Sequence, residues 1–259
     1  FNCLHVGEDN VVTLTVTDVN GNESTATATV TVEDNIAPVA SAQNLTVQLD
    51  EDGNGFTTAA LVDNGSSDAC GILSLALSQT DFTCDHVGEN SVTLTVTDVN
   101  GNESTATATV TVEDNESPHP EAFDLDVYLD DQGMASITAL QVNAGSWDNC
   151  AVDTIWLDQY DFDCDEVGLN SIEITVLDVN GNQASALTDI TVHDMVSPEA
   201  LAADFTLELD ENGAGTITPA DIDAGSNDAC GIFSLALSQT EFNCLHVGED
   251  NVVTLTVTD

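Results

Sequence analysis

Residues Thr93–Asn115 read TLTVTDVNGNESTATATVTVEDN, and this stretch decides the fold. Apolar Leu94 and Val96 alternate with threonines, which is the period-two pattern of a strand with one buried face. The second half of the stretch alternates alanine or valine with threonine in the same way. Asn100-Gly101 lies between the two halves, and Asn-Gly between alternating runs is the strongest short hairpin signal. The stretch therefore predicts a β-hairpin.

This hairpin sequence recurs along the chain. Thr13–Asn35 repeats it without a change, and Glu173–Met195 is a diverged copy. Phe1–Asp18 is identical to Phe242–Asp259, three repeats of about 80 residues further on. We therefore expect a window in a longer array: the C-terminal part of a repeat at 1–35, complete repeats at 36–115 and 116–195, and the N-terminal part of a repeat at 196–259.

Short strands separated by regularly spaced turns fill each repeat. This pattern indicates an immunoglobulin-like sandwich. Pro38, Pro118 and Pro198 stand at equivalent joints, where proline stiffens a short linker. We expect an all-β protein, with tandem immunoglobulin-like antiparallel β-sandwich domains arranged end to end as a rod.

The composition excludes several classes of function. The chain has 47 Asp plus Glu and no Lys or Arg, so its formal net charge is −47. Nothing neutralises phosphates, which excludes nucleic-acid binding and electrostatic docking on anionic lipid. No apolar run approaches the ~20 residues of a membrane span, so direct membrane insertion is not expected. Counter-charge must come from outside the chain, and metal ions are the obvious source.

Seven cysteines recur at two positions of the repeat. One pair per repeat, without CxxC spacing, favours a disulfide over a zinc site and a location outside the cytoplasm. Two buried free thiols are the alternative. The 14-residue spacing leads us to expect disulfides within each repeat, Cys70–Cys84, Cys150–Cys164 and Cys230–Cys244, with the partner of Cys3 lying upstream.

The hairpin loop is the first of three candidate calcium sites. Asp98, Asn100 and Asn102 place alternate oxygen side chains around a glycine, which suits Ca²⁺ with its six to eight oxygen ligands. Asp178 begins the equivalent loop. A plain hairpin turn, in which Asn-Gly supplies the positive φ, is the favoured alternative.

A second acidic cluster, Asp50-Glu-Asp-Gly53, resembles the start of an EF-hand calcium loop. Leu61 occupies the place of the bidentate glutamate that such a loop requires, so an EF-hand is not expected. The favoured interpretation is an acidic, solvated turn.

The third cluster lies at the strand end that precedes each proline linker. Its position resembles the interdomain calcium motif of cadherins, although the cadherin partner motifs are absent. An aspartate two residues before a cysteine adds oxygens from a nearby loop, and a solvated acidic face is the alternative. The expected cofactor is Ca²⁺, with candidate ligands Glu33, Asp34, Asn35, Asp68, Asp98, Asn100, Asn102, Glu113, Asp114, Asn115, Asp148, Asp178, Asp194 and Asp228.

A family resemblance covers the whole chain. DACGI at Asp68–Ile72, FTCDHVG at Phe82–Gly88 and the run Val92–Asn102 resemble the HYR-like repeats of very large secreted Bacteroidota proteins, such as SprB-type gliding-motility adhesins and related surface filaments. The resemblance implies an immunoglobulin-like fold, one disulfide per repeat, export by type IX secretion and a place on the bacterial cell surface. It carries no catalytic residues. The middle repeat departs from it, with Trp147 and Trp156 added.

These observations give an expected function. The chain is expected to be a structural stalk or filament segment of a cell-surface adhesin, with neighbouring copies of the array as partners. An adhesive module that binds surface glycans or a substratum is the alternative, and its support is the two tryptophans. An enzyme is not expected, because carboxylates are everywhere and nothing singles out a catalytic pair.

Overall fold

The computed structural model describes residues 1–259 and divides into two compact units. Unit 1 comprises Phe1–Ser117 and Asp148–Ala151, and unit 2 comprises Pro118–Trp147 and Val152–Asp259. No helix in either unit is long and apolar enough to span a membrane. The division into four repeat segments stays a prediction.

Unit 1 is built of eight strands, one four-residue α-helix and two three-residue 3₁₀-helices at Cys3–His5 and Cys84–His86. The strands are β1 (Asn10–Thr17), β2 (Glu23–Val30), β3 (Leu45–Gln48), β4 (Asn54–Phe56), β5 (Ile72–Leu77), β6 (Asp81–Thr83), β7 (Gly88–Asp98) and β8 (Glu103–Glu113), and the helix is α1 (Ala59–Val62).

The predicted hairpin is the centre of unit 1. β7 and β8 pair antiparallel over their whole length, with Leu94 opposite Ala106. They form a four-stranded sheet in the order β5-β7-β8-β3, while β4 and β6 form a second, two-stranded sheet. β3 runs parallel to β8, so the sheet is not purely antiparallel as expected.

One aliphatic core fills the space between these two sheets. Val92, Leu94 and Val96 from β7 are fully buried and share the core with Phe82 from β6. The alternating threonines point away from the core, as period two requires. The prediction of all-β sandwich domains is confirmed.

The copy of the hairpin at β1 and β2 pairs in the same register but forms a two-stranded sheet alone. Leu14 is 65% exposed there, whereas its equivalent Leu94 is 0% exposed. The local sequence therefore specifies the hairpin, and the flanking strands decide whether its apolar face is buried.

Unit 2 repeats this architecture. Its strands are β9 (Leu125–Tyr128), β10 (Met134–Ser136), β11 (Val152–Leu157), β12 (Asp161–Asp163), β13 (Gly168–Asp178), β14 (Gln183–His193), β15 (Ala214–Thr216), β16 (Ser234–Leu237), β17 (Glu241–Asn243) and β18 (Leu255–Thr258), and its α-helices are α2 (Ala139–Val142) and α3 (Pro219–Ile222). Two 3₁₀-helices lie at Cys164–Glu166 and Cys244–His246.

Two cores lie in unit 2. The larger core is enclosed by the sheet β11-β13-β14-β9 and the pair β10-β12, and it contains Phe162, Ile172 and Ile174. The smaller core contains Ile217, Ile222 and Leu255. It is flanked by the two-stranded sheets β15-β17 and β16-β18.

The segment 216–222 combines the end of a strand with one of the short helices. β15 ends at Thr216, and α3 begins with Pro219, a residue well suited to the first turn because its missing N–H is not needed there. The Thr218 backbone N–H donates to Asp221 Oδ2 at 2.8 Å, which caps the turn.

Candidate functional site

Three disulfides connect consecutive sequence repeats. The expected bonds within each repeat are wrong, and so is the expected upstream partner of Cys3. The observed bonds are Cys3–Cys70, Cys84–Cys150 and Cys164–Cys230, with Cα–Cα distances of 5.2, 5.3 and 5.1 Å, and Cys244 is a free, exposed thiol. Disulfides are typical of proteins outside the reducing cytoplasm.

The path of the strands explains why the 14-residue spacing gave the wrong disulfide pairing. A disulfide needs Cα atoms about 4.4–6.8 Å apart. β5 begins two residues after Cys70 and carries the chain about 20 Å along the sheet before β6 leads into Cys84. Cys84 instead lies 3.5 Å from the carbonyl oxygen of Asn149, beside Cys150. Sequence spacing alone carries no information on this distance.

The acidic turn at Asp50–Gly53 packs against the Cys84–Cys150 disulfide. Asp50 Oδ1 accepts backbone N–H bonds from Asp52 and Asn54 at 3.1 and 2.9 Å, which closes the turn. Asn149 Nδ2 donates to the Asp50 carbonyl at 3.0 Å. These bonds give the turn a structural role beside the disulfide, in addition to the acidic, solvated turn expected from the sequence.

Gly53 has a positive φ of +72° and no room for a side chain. A Cβ there would lie 2.8 Å from Cys84 Sγ and 3.0 Å from the Asn149 carbonyl oxygen. Gly133, the equivalent residue of unit 2, would place a Cβ 2.6 Å from Cys164 Sγ. A glycine in this turn is therefore required both by its φ and by the approach of the disulfide.

Pairs of aspartates recur close to the disulfides. Each pair joins the aspartate at a strand end to the aspartate two residues before a cysteine, with carboxylate oxygens within 4.8 Å of each other. The sulfur of Cys70 also lies in this range, but it belongs to a disulfide and is not available as a thiolate ligand. The pairs are Asp34–Asp68 and Asp114–Asp148 in unit 1 and Asp194–Asp228 in unit 2.

The neighbours of the strand-end aspartate face elsewhere. Successive side chains of an extended chain alternate in direction, so only the middle residue of each trio points toward its aspartate partner. Glu113 Oε2 accepts from Gln48 Nε2 at 2.7 Å, and Asn115 Nδ2 donates to Gln48 Oε1. Asn35 Nδ2 donates to Glu33 Oε2 at 3.3 Å. All four outer residues, Glu33, Asn35, Glu113 and Asn115, are exposed.

Each aspartate of the pair also shapes the backbone. Asp68 Oδ1 accepts the N–H groups of Cys70 and Gly71 at 2.7 and 3.2 Å. Asp34 Oδ1 accepts the N–H of Ile36 at 3.1 Å, at the start of the linker. Both aspartates therefore use Oδ1 to accept backbone N–H groups of a turn.

Asp148 shows the same geometry in the second pair of unit 1. Its Oδ1 accepts the N–H groups of Cys150 and Ala151 at 2.9 and 3.1 Å. Its Oδ2 is buried and has no hydrogen-bond partner. A buried carboxylate oxygen without a partner carries a desolvation cost that a cation would offset.

The electrostatics of these pairs call for a counter-ion. Two unit charges 4 Å apart repel by about 1 kcal/mol in water and by about 4 kcal/mol at an effective dielectric constant near 20. The chain offers no Lys or Arg to offset this repulsion. Carboxylate oxygens of this density are the donor set that suits Ca²⁺.

The hairpin loop holds its aspartate in a different way. Asp98 is fully buried, and its Oδ1 accepts the N–H groups of Asn100 and Asn102, each at 2.8 Å, while Oδ2 accepts from Asn102 Nδ2 at 2.8 Å. Burial raises the pKa of Asp98, but hydrogen bonds from Asn102, Asn100 and Gly101 outweigh it and hold the pKa below its usual value.

Asp178 repeats this arrangement in unit 2. Its Oδ1 accepts N–H groups from Asn180, Gly181 and Asn182 at 2.8, 2.6 and 2.8 Å. Both buried loop aspartates therefore use their oxygens to close a turn, as the favoured interpretation of this loop required.

Asn102 has a second function that the sequence did not indicate. Its Nδ2 also donates to the backbone carbonyls of Asp34 and Ile36 at 3.1 and 3.3 Å. The amide therefore ties the hairpin loop to the linker that follows Asp34. In the sequence, only the recurrence of asparagine at this position of every hairpin loop points to this role.

Comparisons with known proteins give no family. No protein-family model matches the chain, and no curated protein matches it. Matches to solved structures have low identity and low TM-scores. Protocadherin gamma B7 extracellular cadherin domains 1–4 show 14% identity and a TM-score of 0.33 over 93% of this chain and 72% of that one.

The protocadherin gamma B4 extracellular domain shows 16% identity and a TM-score of 0.36, and the match covers 99% of this chain and 49% of that one. Human protocadherin-24 EC1–2 shows 13% identity and a TM-score of 0.35, over 62% and 100% of the two chains.

Proposed function

We propose that the chain is a structural segment of a stalk or filament in a large secreted adhesin on a bacterial cell surface. The observation that supports this proposal is the disulfide between consecutive repeats, present at every joint for which the chain supplies both cysteines. A spacer needs stable units that connect firmly to their neighbours, and it needs no catalytic site. The resemblance to HYR-like repeats supports type IX secretion and a part in gliding motility.

Calcium is the proposed cofactor of this segment. The aspartate pairs bring two carboxylates together beside each disulfide, in a chain without any cationic side chain. A bound Ca²⁺ would neutralise each pair and fix the linker that follows the strand-end aspartate. The hairpin-loop and outer trio residues are proposed as further contributors.

Chelation and replacement of the aspartates test this cofactor. We expect chelation to lower the melting temperature, and Ca²⁺ to restore it better than Na⁺ at equal ionic strength. Asp34→Asn with Asp68→Asn keeps the turn acceptors but removes both charges, and we expect it to lose the response at that joint. Asp85→Asn with Glu89→Gln is the control, because both residues are exposed and neither is a candidate ligand. Equal effects of the two salts on the wild type would contradict the calcium proposal.

The second candidate function is binding of a surface glycan through the middle repeat. Trp147 is 46% exposed and stacks on His119, with ring centroids 4.2 Å apart and an interplanar angle of 13°. Exposed, rigid aromatic faces of this kind suit contact with a partner. The test is glycan-array binding of Trp147→Ala beside the control Leu140→Ala, whose side chain is 83% exposed. Binding by wild type that only the first variant loses would favour this candidate.

Imaging of the native assembly tests the principal proposal. Gold-labelled antibody against this chain should decorate filaments that project from the bacterial cell, at a regular axial interval. Labelling confined to the cell interior would contradict it.

A further inference from the structure

The disulfides lie in series along the chain. They close loops of 67, 66 and 66 residues that follow one another without overlap: Cys3–Cys70, Cys84–Cys150 and Cys164–Cys230. Apart from the chain ends, only the two short segments between the loops, 71–83 and 151–163, lie outside them. Bonds within each repeat would have produced the opposite arrangement, with small loops and long unprotected segments.

When the two ends of such a chain are pulled apart, the shortest covalent connection between them carries the force. It crosses each loop at the disulfide, where the two Cα atoms are only 5.1–5.3 Å apart. We propose that the disulfides make this chain a tether of limited extension, in which force passes through the bonds and the two linking segments and bypasses the loops. The inference deepens the proposed stalk function and rests on it for its biological use.

The strands also divide into those in a linking segment, which would carry the force, and those inside a disulfide loop, which would not. The linking segment 71–83 consists mainly of β5 and β6, which pair with β7 and β4. β7 and β8 lie inside the Cys84–Cys150 loop, and β4 lies inside the Cys3–Cys70 loop. Force can therefore peel β5 and β6 away, but it cannot pull apart the long β7–β8 hairpin.

Contour lengths give the size of the effect. At roughly 3.3–3.6 Å per residue, each linking segment extends to about 50 Å, while each 66-residue loop hides about 220–240 Å. The whole oxidised chain can thus extend to about 200–230 Å, against about 850–930 Å for the same chain without disulfides.

Single-molecule force spectroscopy on the full chain, held by handles at its two termini, tests this inference. The variants are Cys84→Ser with Cys150→Ser, which opens the middle loop alone, and Cys244→Ser as the control, since Cys244 is in no disulfide. We expect the oxidised wild type and the control to reach the same short final length. The double variant should reach a final length greater by roughly 210–240 Å.

Final length does not depend on whether the double variant folds, so a misfolded variant still gives the readout. An oxidised wild type that extends as far as the double variant would overturn the inference. Failure of the tether would leave the surface location untouched, because the location is tested by labelling on cells.

Discussion

Gly53 is constrained both by its backbone conformation and by the nearby disulfide. Its φ of +72° lies in the left-handed region, and the sulfur of Cys84 occupies the space that a Cβ would need. The acidic residues around it keep the turn solvated and closed. The turn therefore serves the connection between repeats.

Gly53→Ala should be clearly destabilising. The left-handed conformation costs a non-glycine residue roughly 1–2 kcal/mol, and overpacking against the disulfide adds roughly 1–3 kcal/mol. Gly65→Ala is the matched control, because Gly65 has a φ of +80° but nothing within 4 Å of its Cβ position. Urea unfolding should show a larger loss for Gly53→Ala, and equal losses would contradict the close approach.

Asp98 makes stability depend on pH in a defined direction. Its pKa is lower in the folded chain than in the unfolded chain, because the hydrogen bonds of the loop outweigh burial. The ionised form is thus favoured by folding, and its contribution is present above the unfolded pKa of about 4. That contribution is lost as the pH falls through the folded pKa.

Asp98→Asn should remove this dependence. The difference in unfolding free energy between wild type and variant, measured with a chelator present, should shrink as the pH is lowered from about 5 toward about 2. A difference that stays constant over this interval would show that the carboxylate of Asp98 is not stabilised by its loop.

At the scale of elements, comparing the identical hairpins β1–β2 and β7–β8 distinguishes the local sequence preference for a hairpin from the packing that buries its apolar face. Both form the same register from the same residues. Only β7 and β8 have β5 and β3 beside them, and only they bury their apolar faces. Alternation and Asn-Gly therefore predict the hairpin, whereas burial depends on strands far away in sequence.

Leu94→Ala and Leu187→Ala test the effect of burial with one substitution in two complete sheets. Leu94 is fully buried, so its loss should cost roughly 2–5 kcal/mol. Leu187, in β14, is 73% exposed, and its replacement should change stability by less than about 0.5 kcal/mol. Chemical denaturation of the two variants gives the comparison, and similar costs would mean that burial in the sheet does not set the cost.

The parts that sequence reasoning predicted are those governed by local pattern. The hairpin, the turns and the proximity of Asp34 and Asp68 follow from residues close to a strand end or a cysteine. The parallel placement of β3 and the short helix α1 do not, since neither has a local periodic signal. The partner of Cys84 depends on where β5 and β6 carry the chain, and a spacing of 14 residues contains nothing about that path.

At the scale of the whole molecule, the disulfides determine how the repeats are connected. Each complete repeat contributes one cysteine to the bond before it and one to the bond after it. Cys244 occupies the position of Cys84, with its Sγ 3.7 Å from the carbonyl oxygen of Gly213. The six cysteines of the three disulfides should react with an alkylating reagent only after reduction.

Cleavage at methionine tests the pattern of disulfides most directly. Met134 and Met195 are the two methionines, so cyanogen bromide yields the fragments 1–134, 135–195 and 196–259. Bonds between repeats hold all three together: Cys84–Cys150 joins the first fragment to the second, and Cys164–Cys230 joins the second to the third. Mass spectrometry without reduction should give one species of nearly the mass of the intact chain, and reduction should release three. Three separate fragments before reduction would contradict the account.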